Sequence, residues 1–253
     1  MAGKAAVVLL AALTAAAIPS AATAQSAAGT ATGPIFTPTE QQNISGVWWI
    51  QNYSPRIPVE GEGELPFADE GRALYEANQA RLAADPLADE ARKFCLPDGV
   101  PRILGSPYPF QIIQTPGYVT IIYELNRVVR RVALDLPLAP YEELELFPYF
   151  SGHSTGHWEG DTLVIETAGY NDKTFIDATG VPHSARMRTV ERMRKAADGS
   201  LEIGVTVSDP EVFAADWSAR YLYDPQPGMR LLDYTCGEPH RDISRVPGVR
   251  VPN

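Results

Sequence analysis

Ionisable side chains with useful spacing concentrate in one short segment, GHSTGHWEGDTLVIET at positions 152–167. His153 and His157 precede the pair Glu159-Gly160, which is typical of a tight turn between two strands. If Glu159 and Gly160 are the two turn residues, His153 lies directly across from Glu166 on the next strand. A carboxylate beside an imidazole orients the ring and favours its protonated form, so this pair suits a general acid–base histidine that faces a pocket.

The same residues also fit the sequence patterns of two other kinds of site, a metal site and a serine nucleophile. The pattern His153-x-x-x-His157 places both rings on one side of a helix, but on a strand the two residues lie about 13 Å apart, too far to share one ion. We therefore expect no metal site. Residues 152–156 also match G-x-S-x-G with Ser154 as the nucleophile, but that motif needs a strand, a sharp turn and a helix, and here a hairpin follows.

The other candidate site residues lie outside that hairpin. His183 falls in a loop-rich stretch, and we expect it to reach the pocket as the second acid or base. The residues expected to bind the substrate or stabilise an oxyanion are Tyr149, Asn171, Arg192, Trp48 and Tyr123. The structural alternatives remain open: an exposed cross-strand ion pair for His153 and Glu166, a turn for Asn171, a solvated face for Arg192, and core positions for the aromatic residues.

Composition limits the classes of partner. The chain of 253 residues is 45% hydrophobic and carries a formal net charge of −10. Such an acidic protein has little non-specific affinity for nucleic acid, so we expect no nucleic-acid partner. The 22 prolines and 20 glycines favour a β-rich protein with many turns over a helical bundle.

The first 24 residues predict export. Lys4 is followed by a short apolar run and then by Ala22-Thr23-Ala24, which is typical of a cleaved signal peptide, and the run is too short for a membrane anchor. We therefore expect a periplasmic or secreted protein with a flexible lead-in at 25–43, one domain at 44–240 and a C-terminal tail at 241–253.

The chain has two cysteines, Cys95 and Cys236. In an oxidising compartment the simplest expectation for an even pair is a disulfide, here between the N-terminal third of the chain and its C-terminal end. Two free buried thiols are the alternative.

The elements that must position these residues are short strands at hairpin spacing. Residues 67–93 instead have helical composition, with Pro86 dividing them into two helices. We predict strands at 45–53, 110–114, 118–124, 127–134, 152–158, 162–167, 187–194, 201–207, 219–223 and 230–234. This pattern predicts an all-β fold, a single antiparallel β-barrel of about eight to ten strands with one short helical insertion.

Several motifs in the chain resemble known proteins. The segments SGVWW, PFQIIQTPG, GHSTGHWEGDTLVIET, GYNDKTFID, PHS and VERMR resemble a widespread family of exported bacterial proteins of undefined function. The resemblance covers most of residues 44–240, and the Gly-x-Trp opening of the first strand resembles calycin-type (lipocalin-type) barrels. The resemblance to the exported family implies the domain boundaries and the compartment, but no activity.

The leading functional hypothesis is an exported enzyme without a cofactor. We expect a lyase or isomerase that acts on a small hydrophobic or aromatic molecule, with His153, Glu166 and His183 as catalytic residues. A non-catalytic periplasmic ligand-binding protein is the alternative, and a serine hydrolase that uses Ser154 is the third. The sequence leaves open whether the chain forms a homodimer.

Overall fold

Nine β-strands form a closed barrel. The computed structural model describes residues 38–61 and 63–236, so the predicted signal peptide, most of the lead-in and the tail at 241–253 lie outside the described residues. The strands are β1 (Gly46–Ile50), β2 (Phe110–Thr115), β3 (Tyr118–Tyr123), β4 (Val129–Leu134), β5 (His153–Glu159), β6 (Thr162–Ala168), β7 (Arg188–Lys195), β8 (Leu201–Ser208) and β9 (Trp217–Pro225). The predicted all-β single barrel is confirmed.

Each strand pairs with the next along the chain, and β9 pairs with β1 to close the barrel. Every pair is antiparallel except β4 and β5, which run parallel. A parallel pair needs a connection that returns the chain to the starting end. The proline-rich segment 135–152 does this and contains the short helix α3 (Tyr141–Leu144).

One predicted strand is wrong. Residues 230–234 form no regular strand, and only Tyr234 makes an isolated bridge, to Leu125. The chain turns at Pro227-Gly228, where Gly228 has a φ of 82° and Met229 N donates to Gln226 O. After that turn Leu232 N donates to Glu124 Oε2 and Cys236 N donates to Asn126 Oδ1, so the segment lies against the loop between β3 and β4.

The inward faces of the strands make the core. On β8, Leu201, Ile203, Val205 and Val207 are all buried, while the alternate residues face outward. Large side chains from the other strands complete this core, among them Trp48, Phe110, Tyr123, Leu163, Trp217, Tyr221 and Tyr223. These side chains fill the interior, as expected for a barrel of this size.

A charged pair lies inside that apolar core. Arg130 of β4 donates two hydrogen bonds to the Glu191 carboxylate of β7, at 2.8 and 2.6 Å. The same guanidinium donates to Thr167 Oγ1 and Ser154 Oγ, at 2.8 and 3.0 Å. The two charged side chains are 2% and 0% exposed, so each depends on the other for compensation.

The helical insertion lies between β1 and β2. It consists of α1 (Asp69–Ala84), a 3₁₀ turn at Pro86–Ala88, α2 (Glu90–Phe94) and a second 3₁₀ turn at Arg102–Gly105. The predicted break at Pro86 is confirmed. Helix α1 packs so closely that a Cβ at Gly71 would lie 2.0 Å from the Val212 carbonyl oxygen.

The predicted disulfide is present. Cys95, directly after α2, is bonded to Cys236 with a Cα–Cα distance of 5.5 Å. It joins the helical insertion to the segment that follows β9. Within the described residues, no helix combines the length and apolar character needed to cross a membrane.

The buried pair generates a stability prediction. Arg130→Met leaves the Glu191 carboxylate uncompensated, so we expect the free energy of unfolding to fall by about 3–5 kcal/mol. The double variant Arg130→Met/Glu191→Met removes both charges and should recover most of that loss. Urea unfolding of the three proteins measures the difference, and a double variant less stable than the single one would contradict this account.

Candidate functional site

The hairpin that carries the predicted catalytic pair has a different register from the one expected. Glu159 pairs with Thr162, so the turn residues are Gly160 and Asp161. Gly160 has a φ of 63° and occupies the first central position, which is where a type II′ turn requires glycine. His153 therefore lies across from Ala168, and Glu166 lies across from Thr155. The predicted pairing of His153 with Glu166 is wrong.

Both residues lie on the outer face of the barrel. Their neighbours Ser154 and Thr167 bind Arg130 in the interior, so His153 and Glu166 face the opposite way. His153 Nε2 lies 2.8 Å from the Phe147 carbonyl oxygen, and its ring packs against the exposed Tyr149 ring at 4.8 Å. Glu166 is exposed and lines an outer groove beside the segment 135–141.

His183 lies in a third environment. It is buried, with Nδ1 3.1 Å from the Ser184 carbonyl oxygen and Nε2 3.1 Å from Thr174 Oγ1. These contacts fit a neutral ring that donates from Nδ1 and accepts at Nε2. Burial lowers the pKa of His183, since the charged form loses its hydration. The structure does not bring together the three predicted catalytic residues.

The predicted binding residues are also dispersed. Trp48 and Tyr123 are buried in the core, and the Trp48 indole donates to the Ile44 carbonyl oxygen. Asn171 accepts from Lys173 N in a local turn, while Arg192 pairs with Glu159 on the outer face.

Ser154 Oγ bonds to Arg130 and Thr167, with no histidine among its partners. This arrangement does not fit an activated nucleophile. The described part of the chain contains no cluster of His, Cys, Asp and Glu that fits a metal ion.

A different cavity has the features of a binding site. We call it the end pocket, because it opens where β1 and β3 finish and β2 begins. Its volume is about 260 Å³. The lining residues that matter below are Tyr53, Asp98, Arg102, Tyr108, Asp177, Tyr221 and Tyr234.

Arg102 forms the charged side of the end pocket. Its Nη2 donates to Asp89 Oδ2 at 2.6 Å, and its Nε lies 3.4 Å from Asp98 Oδ1. The third nitrogen, Nη1, is buried and has no hydrogen-bond partner among the residues that the structure describes. Burial by itself lowers the pKa of Arg102, but Asp98 and Asp89 raise it above its ordinary value, so the guanidinium remains charged.

Asp98 and Asp89 both face Arg102 but have different surroundings. Burial raises the pKa of Asp98 despite the nearby Arg102 charge. Asp89 also accepts hydrogen bonds from Ala91 N and Arg92 N, so it caps α2 as well as binding Arg102.

Tyrosine rings form the other sides. The Tyr221 ring lies against Gly105, where an added Cβ would be 3.3 Å from Tyr221 Cε1 and 3.7 Å from its hydroxyl oxygen. Tyr221 is 4% exposed, and its hydroxyl bonds to no residue in the described ranges. Tyr108 and Tyr234 stack with ring centroids 4.9 Å apart near the disulfide.

Asp177 holds the segment that crosses the pocket. Its Oδ2 accepts from Ile57 N at 3.0 Å, and its Oδ1 accepts from Thr179 N and Thr179 Oγ1 at 2.8 Å. A further backbone bond joins Ala178 N to the Pro55 carbonyl oxygen. The segment 53–57 is thus attached to the loop that follows β6.

Sequence reasoning missed the end pocket. Arg102, Asp177 and Tyr221 are far apart in the chain and form no motif. The one local signal is the segment LPDGVPRILGSPYP at 96–109, a long loop rich in proline and glycine, and loops held on a rigid scaffold commonly carry binding residues.

The fold and the pocket define a closed β-barrel with a small aromatic cavity at one end. No protein-family model matches the chain, and no curated protein matches it. The family resemblance of the motifs stays a prediction.

The neutral state of His183 generates a pH prediction. Its native pKa is below the ordinary value of 6.5, so the unfolded chain takes up a proton first as the pH falls. Between 6.5 and the lowered native pKa, the His183 contribution to the free energy of unfolding therefore decreases with decreasing pH. Urea unfolding of the wild type and His183→Gln measures it, and an identical pH dependence in the two proteins would contradict the assignment.

The two carboxylates near Arg102 generate a second prediction. Asp98→Asn removes a charge that burial disfavours, so the free energy of unfolding at pH 7 should stay the same or rise. Asp89→Asn can still cap α2 but loses the charged bond to Arg102, so we expect a loss of about 1.5–3 kcal/mol. Thermal and urea unfolding compare the two, and a larger loss for Asp98→Asn would contradict this account.

Proposed function

We propose that the protein is a non-catalytic binding protein whose end pocket takes a small aromatic molecule. The observation that carries the proposal is that tyrosine rings line a cavity with two hydrogen-bonding groups that have no partner among the described residues. These groups are the buried Arg102 Nη1 and the Tyr221 hydroxyl. Cavities that bind small molecules are mostly apolar and contain a few polar groups that fix the orientation of the ligand.

The dimensions support a ligand with one ring. Pockets for drug-sized ligands have volumes of about 300–1,000 Å³, and the end pocket has about 260 Å³. Tyr53, Tyr108, Tyr221 and Tyr234 line it. Aromatic rings favour stacked or edge-to-face contacts with other rings, so an aromatic ligand gains more here than an aliphatic one of equal size.

Binding accounts for the geometry better than acid–base catalysis. A lyase or isomerase using His153, Glu166 and His183 requires the three side chains to converge on one substrate. His153 and Glu166 are on the outer face, and His183 is buried against Thr174 and Ser184.

We also propose that the protein is exported. The predicted signal peptide at 1–24 is the basis of this proposal, and the Cys95–Cys236 disulfide is compatible with an oxidising compartment. Cys236 lines the end pocket, so the disulfide also holds one of its walls in place.

A pocket-filling substitution tests the binding proposal. Ala178 lines the end pocket and uses only its backbone to hold Pro55, so Ala178→Phe should fill the cavity without breaking that bond. The matched control is Ala133→Phe, on the outer face of β4. We expect Ala178→Phe to weaken binding of acetophenone at least about tenfold, a loss of about 1.4 kcal/mol, and Ala133→Phe to bind like the wild type.

The measurement is an NMR titration of the folded, oxidised protein. Equal binding by both variants would overturn the assignment of the pocket. Conversion of acetophenone or its hydroxylated derivatives into products during the titration would overturn the non-catalytic part of the proposal.

A further inference from the structure

We infer that the ligand of the end pocket is an uncharged aromatic carbonyl compound, whose oxygen accepts hydrogen bonds from Arg102 Nη1 and the Tyr221 hydroxyl. This inference rests on the proposed function and adds the chemical class of the ligand. Three observations carry it: the buried Arg102 Nη1 has no partner among the described residues, the Tyr221 hydroxyl makes no hydrogen bond with them, and Arg102 is surrounded by carboxylates.

The first donor is Arg102 Nη1. The Arg102 side chain is 9% exposed, and its other guanidinium nitrogens face Asp89 and Asp98. Nη1 alone lacks a partner, although it belongs to a residue that lines the end pocket. A buried donor without an acceptor is unfavourable, so a ligand that supplies an acceptor oxygen relieves that cost.

The second donor is the Tyr221 hydroxyl. Burial raises the pKa of Tyr221 above its ordinary value, so the hydroxyl keeps its proton. Its ring lies against Gly105, in the same 3₁₀ turn as Arg102. Because Gly105 has no side chain, the Tyr221 hydroxyl comes close to that turn and lines the same cavity as Arg102.

The charge around Arg102 disfavours an anionic ligand. Asp89 and Asp98 already compensate the guanidinium, at 2.6 and 3.4 Å, and Asp177 raises its pKa further. A ligand carboxylate would add another negative charge to this group. A neutral carbonyl oxygen accepts the same hydrogen bonds without that repulsion.

A cationic ligand is disfavoured for a separate reason. The Asp177 carboxylate oxygens already accept bonds from Ile57 N, Thr179 N and Thr179 Oγ1. Asp98 faces Arg102, whose charge repels a second cation, and burial disfavours its ionised form. The described lining of the pocket therefore contains no uncommitted carboxylate to compensate an ammonium group.

Four probes of similar size separate these classes. The probes are acetophenone, ethylbenzene, benzoate and benzylamine, which differ in the acceptor oxygen and in charge. We expect acetophenone to bind about 10- to 100-fold more tightly than ethylbenzene, the ratio expected for two net hydrogen bonds of about 3- to 10-fold each. Benzoate and benzylamine should bind more weakly than acetophenone.

The variant Tyr221→Phe removes one donor and retains the ring. The hydroxyl makes no hydrogen bond with the part of the chain that the structure describes, so the variant should unfold at the same urea concentration as the wild type. It should bind acetophenone about 3- to 10-fold more weakly and ethylbenzene equally well. The matched control is Tyr118→Phe, an exposed tyrosine on β3 that should change neither affinity.

A second variant tests the geometry through the neighbouring glycine. In Gly105→Ala the new methyl group meets the Tyr221 ring, at 3.3 Å from Cε1, and narrows the cavity. Both acetophenone and ethylbenzene should then bind more weakly, unlike the selective effect of Tyr221→Phe. An unchanged affinity for both probes in Gly105→Ala would overturn the inference.

The outcomes separate this inference from the proposal on which it rests. If neither aromatic probe binds in the end pocket, the proposed function fails. If ethylbenzene binds as tightly as acetophenone, or if benzoate or benzylamine binds most tightly, the proposed function stands and the carbonyl assignment is overturned.

Discussion

The buried pair of Arg130 and Glu191 is the interaction on which the barrel most depends. Arg130 of β4 contacts Glu191 of β7, Thr167 of β6 and Ser154 of β5. One guanidinium thus joins four consecutive strands, including the parallel pair β4 and β5. Because these two charges compensate each other, Arg130 and Glu191 must both point into the barrel. This requirement fixes which residues of β4 and β7 face inward and which face outward.

That constraint explains where a ligand can bind. The interior at the level of Arg130 is occupied by the ion pair, its hydroxyl partners and large core side chains. The cavity instead lies at one end of the barrel, in the end pocket. It is surrounded by the helical insertion, the segment 53–57 and the disulfide. Arg102 Nη1, a buried donor without a partner among the described residues, is found there, so the site lies at the rim of a filled barrel.

Much of the fold was predictable from the sequence, because turns and alternation are local properties. The break at Pro86 follows from the missing N–H of proline, and the glycine-containing turns separate the strands. The hairpin register was not predictable with the same accuracy. Gly160 fits either central turn position, and only the type II′ geometry places it first. The site was less predictable still, because Arg102 and Tyr221 meet only through tertiary packing at Gly105.

The position of a bound aromatic ketone tests the account most directly. Intermolecular nuclear Overhauser effects between acetophenone and the folded protein report which protons lie within a few ångströms of the ligand. The account predicts contacts with Gly105 and the Tyr221 ring, on the wall of the end pocket. Contacts with Thr155, His157 and Tyr141 instead would place the ligand in the outer groove beside Glu166 and would contradict it.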